Sequence, residues 1–138
     1  ELGSGCVAKI VNNMIAFTNM VAAAEGLMMG VAAGMDAAVL NEIVRNSSGN
    51  SMSYRGVAKS ALERDFTPGF TVDLAYKDLR LALELADELD MPLLLEPQVH
   101  NVMRMARGKD GGGENVTAVL KVYEAIMKQQ VGPAGKIS

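Results

Sequence analysis

The sequence predicts an all-α domain, about six helices packed around a long central one. Three observations predict it. Apolar residues recur every three or four positions over most of the chain, the alternation of a half-buried strand is nearly absent, and turn residues separate the helical stretches. At 138 residues, the chain is one domain's worth and can bury roughly two-thirds of its unfolded surface without metal or disulfide.

The first helix is expected from about Gly5 to Ala33, carried by Val7, Ile10, Val11, Met14, Phe17, Val21, Ala24, Met28 and Val31. It is apolar on nearly every side, as a central helix is. Lys9, Asn12, Asn13, Asn19 and Glu25 interrupt the run, which argues for a buried helix over a membrane span. No basic segment of a signal peptide precedes it. Gly34 is its expected stop, and Asp36 can cap a second helix over 37–46. The cluster Asn46-Ser-Ser-Gly-Asn-Ser51 is a turn, followed by a third helix from roughly Met52 to Glu63. Asp65-Phe-Thr-Pro-Gly-Phe70 is a loop around its Pro-Gly pair. Thr71 or Asp73 opens a strong helix to about Leu89, ended by Asp90 and Pro92. A further helix reaches Arg107, starting at Leu93 or nearer Glu96, since Pro97 fits only in a first turn. Gly108 to Gly113 is a flexible connection, and the last helix covers about Asn115 to Gln130. Residues 1–131 thus form one domain, and 132–138 a flexible tail. The abrupt start, without an initiator Met, suggests a piece of a longer or processed protein.

Composition narrows the function. A net charge of −3 and a pI near 5.1 argue against a nucleic-acid-binding domain. No run of Lys and Arg suggests an anionic membrane surface. With one cysteine, Cys6, and one histidine, His100, a Cys/His zinc cluster is impossible. A lone Cys suits a reducing compartment or indifference to redox, and the cytoplasm is the expected location. Aromatics are only 4%, with no Trp, which argues against a stacking platform for bases or sugars. The ten methionines are expected mainly in the core. His100 is expected to be a surface or hydrogen-bonded histidine, and Cys6 a small residue at a helix start.

Two polar groups break the apolar pattern. On a helical wheel of about 100° per residue, Lys9 and Asn13 lie about 40° apart, with Asn12 beside them. Such a trio can serve as an acid/base lysine with an amide that positions a substrate oxygen. It can equally be a lysine reaching to water beside an Asn pair at a helix contact. Glu25 falls on the opposite side. Farther on, Lys77 shares a solvated face with Asp73, Arg80, Glu84 and Glu88. Asp78 instead falls among Leu74, Leu81, Leu85 and Leu89, where a carboxylate requires a partner. Lys9, Lys77 or a helix N-terminus are candidates for it.

In this order, the segments resemble the β-hydroxyacid dehydrogenases, a family that includes 3-hydroxyisobutyrate dehydrogenase and tartronate semialdehyde reductase, with 6-phosphogluconate dehydrogenase a more distant relative. Gly3-Ser-Gly5 with Lys9-Ile-Val-Asn12-Asn13 is similar to the family's helix-opening motif. Glu25-Gly26, Gly34-Met-Asp36, Phe66-Thr-Pro-Gly-Phe70, Leu74-Ala-Tyr-Lys77-Asp78-Leu79 and Glu114-Asn-Val-Thr-Ala118 follow in family order. The resemblance spans about residues 3 to 128. It implies the all-α C-terminal domain of a two-domain enzyme, 6-phosphogluconate dehydrogenase C-terminal-like, whose N-terminal Rossmann domain binds NAD or NADP. The Gly-x-Gly-x-x-Gly fingerprint of that other domain is absent from this sequence.

By the resemblance, Lys9 is the acid/base of a reversible hydride transfer between a small 3-hydroxy or 2-hydroxy acid and its oxo form. Asn13 would bind the substrate, Phe70 and Asp78 would line or support the cleft, and Lys77 would reach the cofactor. No metal is implied. A homo-oligomer is expected, and the chain alone should be inactive. The sequence departs from the family at Asn115-Val116-Thr117, where an acid, an aromatic and a Ser are common; this bears on the substrate pocket. Two other readings fit the residues: a non-catalytic helical module for dimerisation or docking, and an enzyme of the same fold acting on an imine or sugar acid.

Overall fold

The computed structural model describes residues 3–132. Among these it is all-helical: α1 (Ser4–Ala32), α2 (Ala37–Arg45), α3 (Met52–Glu63), α4 (Val72–Glu88), α5 (Glu96–Arg107) and α6 (Leu120–Met127), with a 3-10 turn at Val116–Val119. Extended pairing among the described residues is limited to an isolated antiparallel bridge between Thr71 and Asn115. Glu1, Leu2 and, beyond Gly132, the tail expected over 132–138 lie outside the described residues.

Local chemistry sets the helix ends. The Asp36 carboxylate accepts from the backbone N–H groups of Ala38 and Val39 and starts α2. Ser51 Oγ accepts from Tyr54 N to start α3, and Thr71 does the same with Leu74 N for α4. Pro97 sits in the first turn of α5, where its missing N–H costs nothing. Gly34 adopts a left-handed φ of 99° just past α1, a conformation open to glycine.

α1 touches every other helix, and its middle supplies the core through Phe17, Val21, Ala24, Leu27 and Met28. Around them pack Val57 and Ala61 of α3, Ala75 and Leu79 of α4, Met103 of α5, and Val119 and Leu120. By length and hydropathy α1 would also suffice to cross a membrane.

Several expectations change. α1 is not buried on nearly every side: Val11, Ile15 and Met29 are exposed, because neighbours cover only one sector of a helix that projects beyond them at its start. Among the methionines, Met28 and Met103 are buried and Met14 and Met20 border the core. Met29, Met35, Met52, Met91, Met105 and Met127 are exposed, several at helix ends where no neighbouring element covers them. The last helix does not start at Asn115. Val116 N and Asn115 N are held by the Phe70 and Phe66 carbonyls, so the chain enters through a tight, fully buried 3-10 turn. α6 ends at Met127, followed by a left-handed Lys128 with φ 51°.

The glycine-rich stretch 108–113 is a run of turns. Gly111 N donates to the Arg107 carbonyl, and the Gly112 carbonyl accepts from Asp73 N at the start of α4. A side chain at Gly111 would meet the Ala106 carbonyl oxygen, and one at Gly112 the Asp73 carboxylate.

Candidate active site

α1 and α4 carry the groups singled out by the sequence. Four-residue spacing puts Lys9, Asn13 and Phe17 on successive turns along one side of α1. Lys9 is exposed, Asn13 half-buried and Phe17 buried, so this row runs from solvent into the core. Asn13 Nδ2 donates to Asp78 Oδ2 at 2.9 Å. Asn12 Nδ2 donates to Asn13 Oδ1 at 3.3 Å.

The partner of Asp78 is therefore Asn13, not Lys9, Lys77 or a helix N-terminus. Its surroundings also differ from the expected apolar arc. The buried face of α4 is Val72, Ala75, Leu79, Ala82 and Ala86, while Leu74, Leu81 and Leu89 are exposed. Small residues let α4 approach its neighbours closely, and the bulkier leucines are left at the border. Asp78 sits on that border, half-buried, where an amide can reach it and water still can. Lys77 is exposed on the adjoining face, as the wheel indicated. Neither Lys9 nor Lys77 forms an ion pair with another described residue.

Phe70 meets the site from below. Its ring lies 5.6 Å from that of Phe17, at a 32° tilt. The loop that presents it is held by Asn115, whose Oδ1 accepts from Gly69 N and Phe70 N and whose Nδ2 donates to Thr117 Oγ1. The Thr117 hydroxyl also shares a hydrogen bond with Ser60 at 2.8 Å. The unusual Asn-Val-Thr stretch thus braces the Phe70 loop. The structure joins Asn13 to Asp78 directly and Phe70 to them through Phe17, with Lys9 one turn toward solvent.

Sequence reasoning missed a buried polar layer one turn deeper. Thr18 Oγ1 lies 2.7 Å from the Met14 carbonyl and 2.6 Å from Glu96 Oε1. The hydroxyl has one proton to give, shared between two acceptors, the Met14 carbonyl and the Glu96 carboxyl. Burial pushes the Glu96 carboxyl above its ordinary value, against the opposing pull of Thr18. His100, one turn on, is buried and stacks on Tyr76 with ring centroids 4.2 Å apart. It is neither a surface histidine nor fully hydrogen-bonded, since Nε2 is buried without a partner. Burial first, and then Arg104, hold its pKa below the ordinary value. Tyr76 also takes the Arg107 guanidinium over its ring at 4.3 Å. A wheel of 96–107 would have shown Glu96 and His100 on the arc of Val99 and Met103.

Glu25 lies away from this site, as expected, and accepts from Tyr123 OH at 2.7 Å. Burial and that carboxylate push the Tyr123 hydroxyl far above its ordinary pKa. Cys6 is exposed near the start of α1.

Comparison with known proteins bears on this arrangement. Residues 3–123 match the family described as NAD-binding of NADP-dependent 3-hydroxyisobutyrate dehydrogenase. The chain is 37% identical to 2-(hydroxymethyl)glutarate dehydrogenase of Eubacterium barkeri, over 91% of this chain and 42% of that protein. It is 34% identical to L-threonate dehydrogenase of Cupriavidus necator, over 90% of this chain and 42% of that protein. The fold superposes on a crystal structure of 3-hydroxyisobutyrate dehydrogenase from Salmonella typhimurium with a TM-score of 0.83 and 31% identity, covering 87% of this chain and 42% of that one. The chain thus spans about two-fifths of the length of these relatives.

Proposed function

The chain belongs to the family of the NAD-binding domain of NADP-dependent 3-hydroxyisobutyrate dehydrogenase, and from that premise we propose that it is the C-terminal helical domain of an NAD(P)-dependent β-hydroxyacid dehydrogenase. The parent enzyme would interconvert a small hydroxy acid and its oxo form. The named relatives act on 2-(hydroxymethyl)glutarate and L-threonate, both hydroxy acids, which supports that substrate class.

The observation that carries the reading is the row Lys9–Asn13 on α1, clamped to Asp78 of α4. Lys9 Nζ takes the hydroxyl proton of the substrate in oxidation and returns it in reduction. Asn13, oriented by Asp78, hydrogen-bonds the substrate beside Lys9. Phe70, braced by Asn115, supports the floor of the cleft. The nicotinamide cofactor, when bound, supplies or accepts the hydride. Lys77 suits it chemically: an exposed ammonium free of described carboxylate partners, with three donors to offer. The cofactor's main site lies in this reading on another domain, so the chain alone is inactive.

The reading includes a cytoplasmic homo-oligomer. Exposed Leu74, Leu81, Leu94 and Leu95 offer apolar area for another domain or a second copy. The deciding experiment follows NAD(P)H absorbance of the full-length parent on a panel of small hydroxy acids, wild type beside Lys9→Ala. Turnover that falls at least ~10²-fold in a folded Lys9→Ala enzyme supports the assignment. Equal activity of the two proteins makes Lys9 structural and removes the mechanism.

A further inference from the structure

We propose that the border between α4 and α5 carries a separate binding site, for a doubly charged phosphate group, built from Arg80, Arg104 and Arg107 around the ring of Tyr76. Their guanidinium carbons lie 5.8, 5.5 and 4.3 Å from the ring centroid. His100 stacks on the same ring at 4.2 Å. Asp78, which holds Asn13, stands two positions from both Tyr76 and Arg80, so about 200° from each around α4. The arginines therefore sit across α4 from the candidate active site, and none of them is used there.

Charge selects the ligand. Three positive charges meet at one ring, close enough for their fields to add. Asp73 answers one of them, with Oδ1 2.7 Å from Arg107 Nε. Arg80 and Arg104 form no ion pair and no side-chain hydrogen bond among the described residues. Two positive charges are thus left over, on a chain whose net charge is −3. A phosphate monoester brings about two negative charges, and its oxygens match the guanidinium fork in pairs. A single carboxylate would leave one charge unanswered.

The three groups are reachable and held. Arg80 and Arg104 are exposed, and the Arg107 side chain is 42% exposed. Contact with the Tyr76 ring positions the guanidiniums, Asp73 fixes Arg107, and the buried His100 backs the ring. Less side-chain freedom is then lost when an anion arrives. His100 also registers the field. Burial first, then Arg104, and with them Arg80 and Arg107, hold its pKa below the ordinary value.

The test titrates the intact chain with inorganic phosphate, AMP and acetate at about pH 8, where phosphate monoesters are dianions, read by calorimetry and by shifts of the arginine side-chain resonances. Phosphate is expected to bind saturably, in the millimolar range, and about 5-fold or more tighter than acetate. AMP that binds more tightly than phosphate makes a nucleotide the source of the group; equal or weaker binding makes it free phosphate. Arg104→Gln and Arg80→Gln should each weaken phosphate about 5-fold or more. Asp73→Asn, which frees Arg107, should tighten it. His100 is the one histidine of the chain, so its ring resonances read the field directly. In sulfate, which keeps its two charges as pH falls, its pKa should rise relative to chloride at equal ionic strength. That response should vanish in the Arg80→Gln/Arg104→Gln double variant. The proposal falls if phosphate does not saturate or binds no tighter than acetate, or if sulfate leaves the His100 titration where chloride has it. It falls also if Lys59→Gln, the same charge change on α3, weakens phosphate as much as Arg104→Gln, because net charge alone then draws the anion.

Discussion

Asn13 Nδ2 and Asp78 Oδ2 lie 2.9 Å apart, joining α1 to α4 beside the exposed Lys9. An ionised carboxylate only accepts, so the amide must turn its N–H toward α4 and its oxygen away. That oxygen accepts from Asn12 at 3.3 Å and remains at the surface. Asp78 thereby sets which end of the Asn13 amide a neighbour of Lys9 meets.

Reversing this pair tests it. Asn13→Asp places two carboxylates face to face and should lower the melting temperature at pH 7. The loss should shrink as pH falls and the pair takes up a shared proton. Adding Asp78→Asn restores a donor and an acceptor, and the double variant should recover to within about 1 kcal/mol in urea unfolding. Additive losses would show that the two side chains are not coupled.

Glu96 should make stability depend on pH. Its folded-state pKa is raised above the ordinary 4.5, chiefly by burial. The folded protein therefore holds that proton longer than the unfolded chain, and stability is lost as pH rises from about 4.5 through the raised value. Gln mimics the protonated acid, so Glu96→Gln should melt higher than wild type at pH 7 and gain nothing at pH 4. His100 acts in the opposite sense: held below its ordinary 6.5, it costs stability as pH falls past that point. A Glu96→Gln variant with an unchanged pH profile would show that folding does not raise the pKa of this carboxyl.

The segment after α6 is anchored at Val131 by a two-pronged ion pair. Arg64 Nη1 and Nη2 donate to Glu124 at 2.8 and 3.0 Å, and Nη1 also reaches the Val131 carbonyl at 2.8 Å. The same carboxylate accepts from Val131 N, whose side chain is fully buried. Glu124→Ala should cost about 2–3 kcal/mol in urea unfolding, since it orphans a guanidinium and a backbone N–H together. Lys121→Ala, which breaks a more exposed pair with Glu114, should cost about 1 kcal/mol or less.

Three adjacent glycines should respond differently to alanine. At Gly111 the new methyl meets a backbone carbonyl that cannot swing aside, at Gly112 a movable Asp73 side chain, and at Gly113 nothing. Thermal unfolding should show Gly111→Ala losing roughly 1–3 kcal/mol, Gly112→Ala less, and Gly113→Ala least. Equal effects would mean the turns do not pack as closely as the structure has them.

Helix identity was legible in the sequence because it rests on local chemistry. The cap Asp36, the opener Thr71 and the stop at Gly34 each act within a few residues of where they stand, so the α2 and α4 starts followed from reading them; the α3 start followed from the turn cluster that ends at Ser51, whose capping role the structure added. The Lys9–Asn13 row was legible for the same reason: a four-residue spacing fixes a shared face whatever surrounds the helix. Burial was not, because it depends on which sector each neighbour covers. A wheel shows that Asp78 stands with Leu74 and Leu81, yet not that α4 turns its small residues inward and leaves those leucines at the rim. Nor does local pattern place Asn13 against Asp78, Thr18 against Glu96, or Asn115 against the Phe70 loop, since each pair joins segments far apart in the chain. Only the packing of α1 against α4 and α5, and of the 3-10 turn against the Phe70 loop, decided those, by bringing donors and acceptors together where water is scarce and each must find the other.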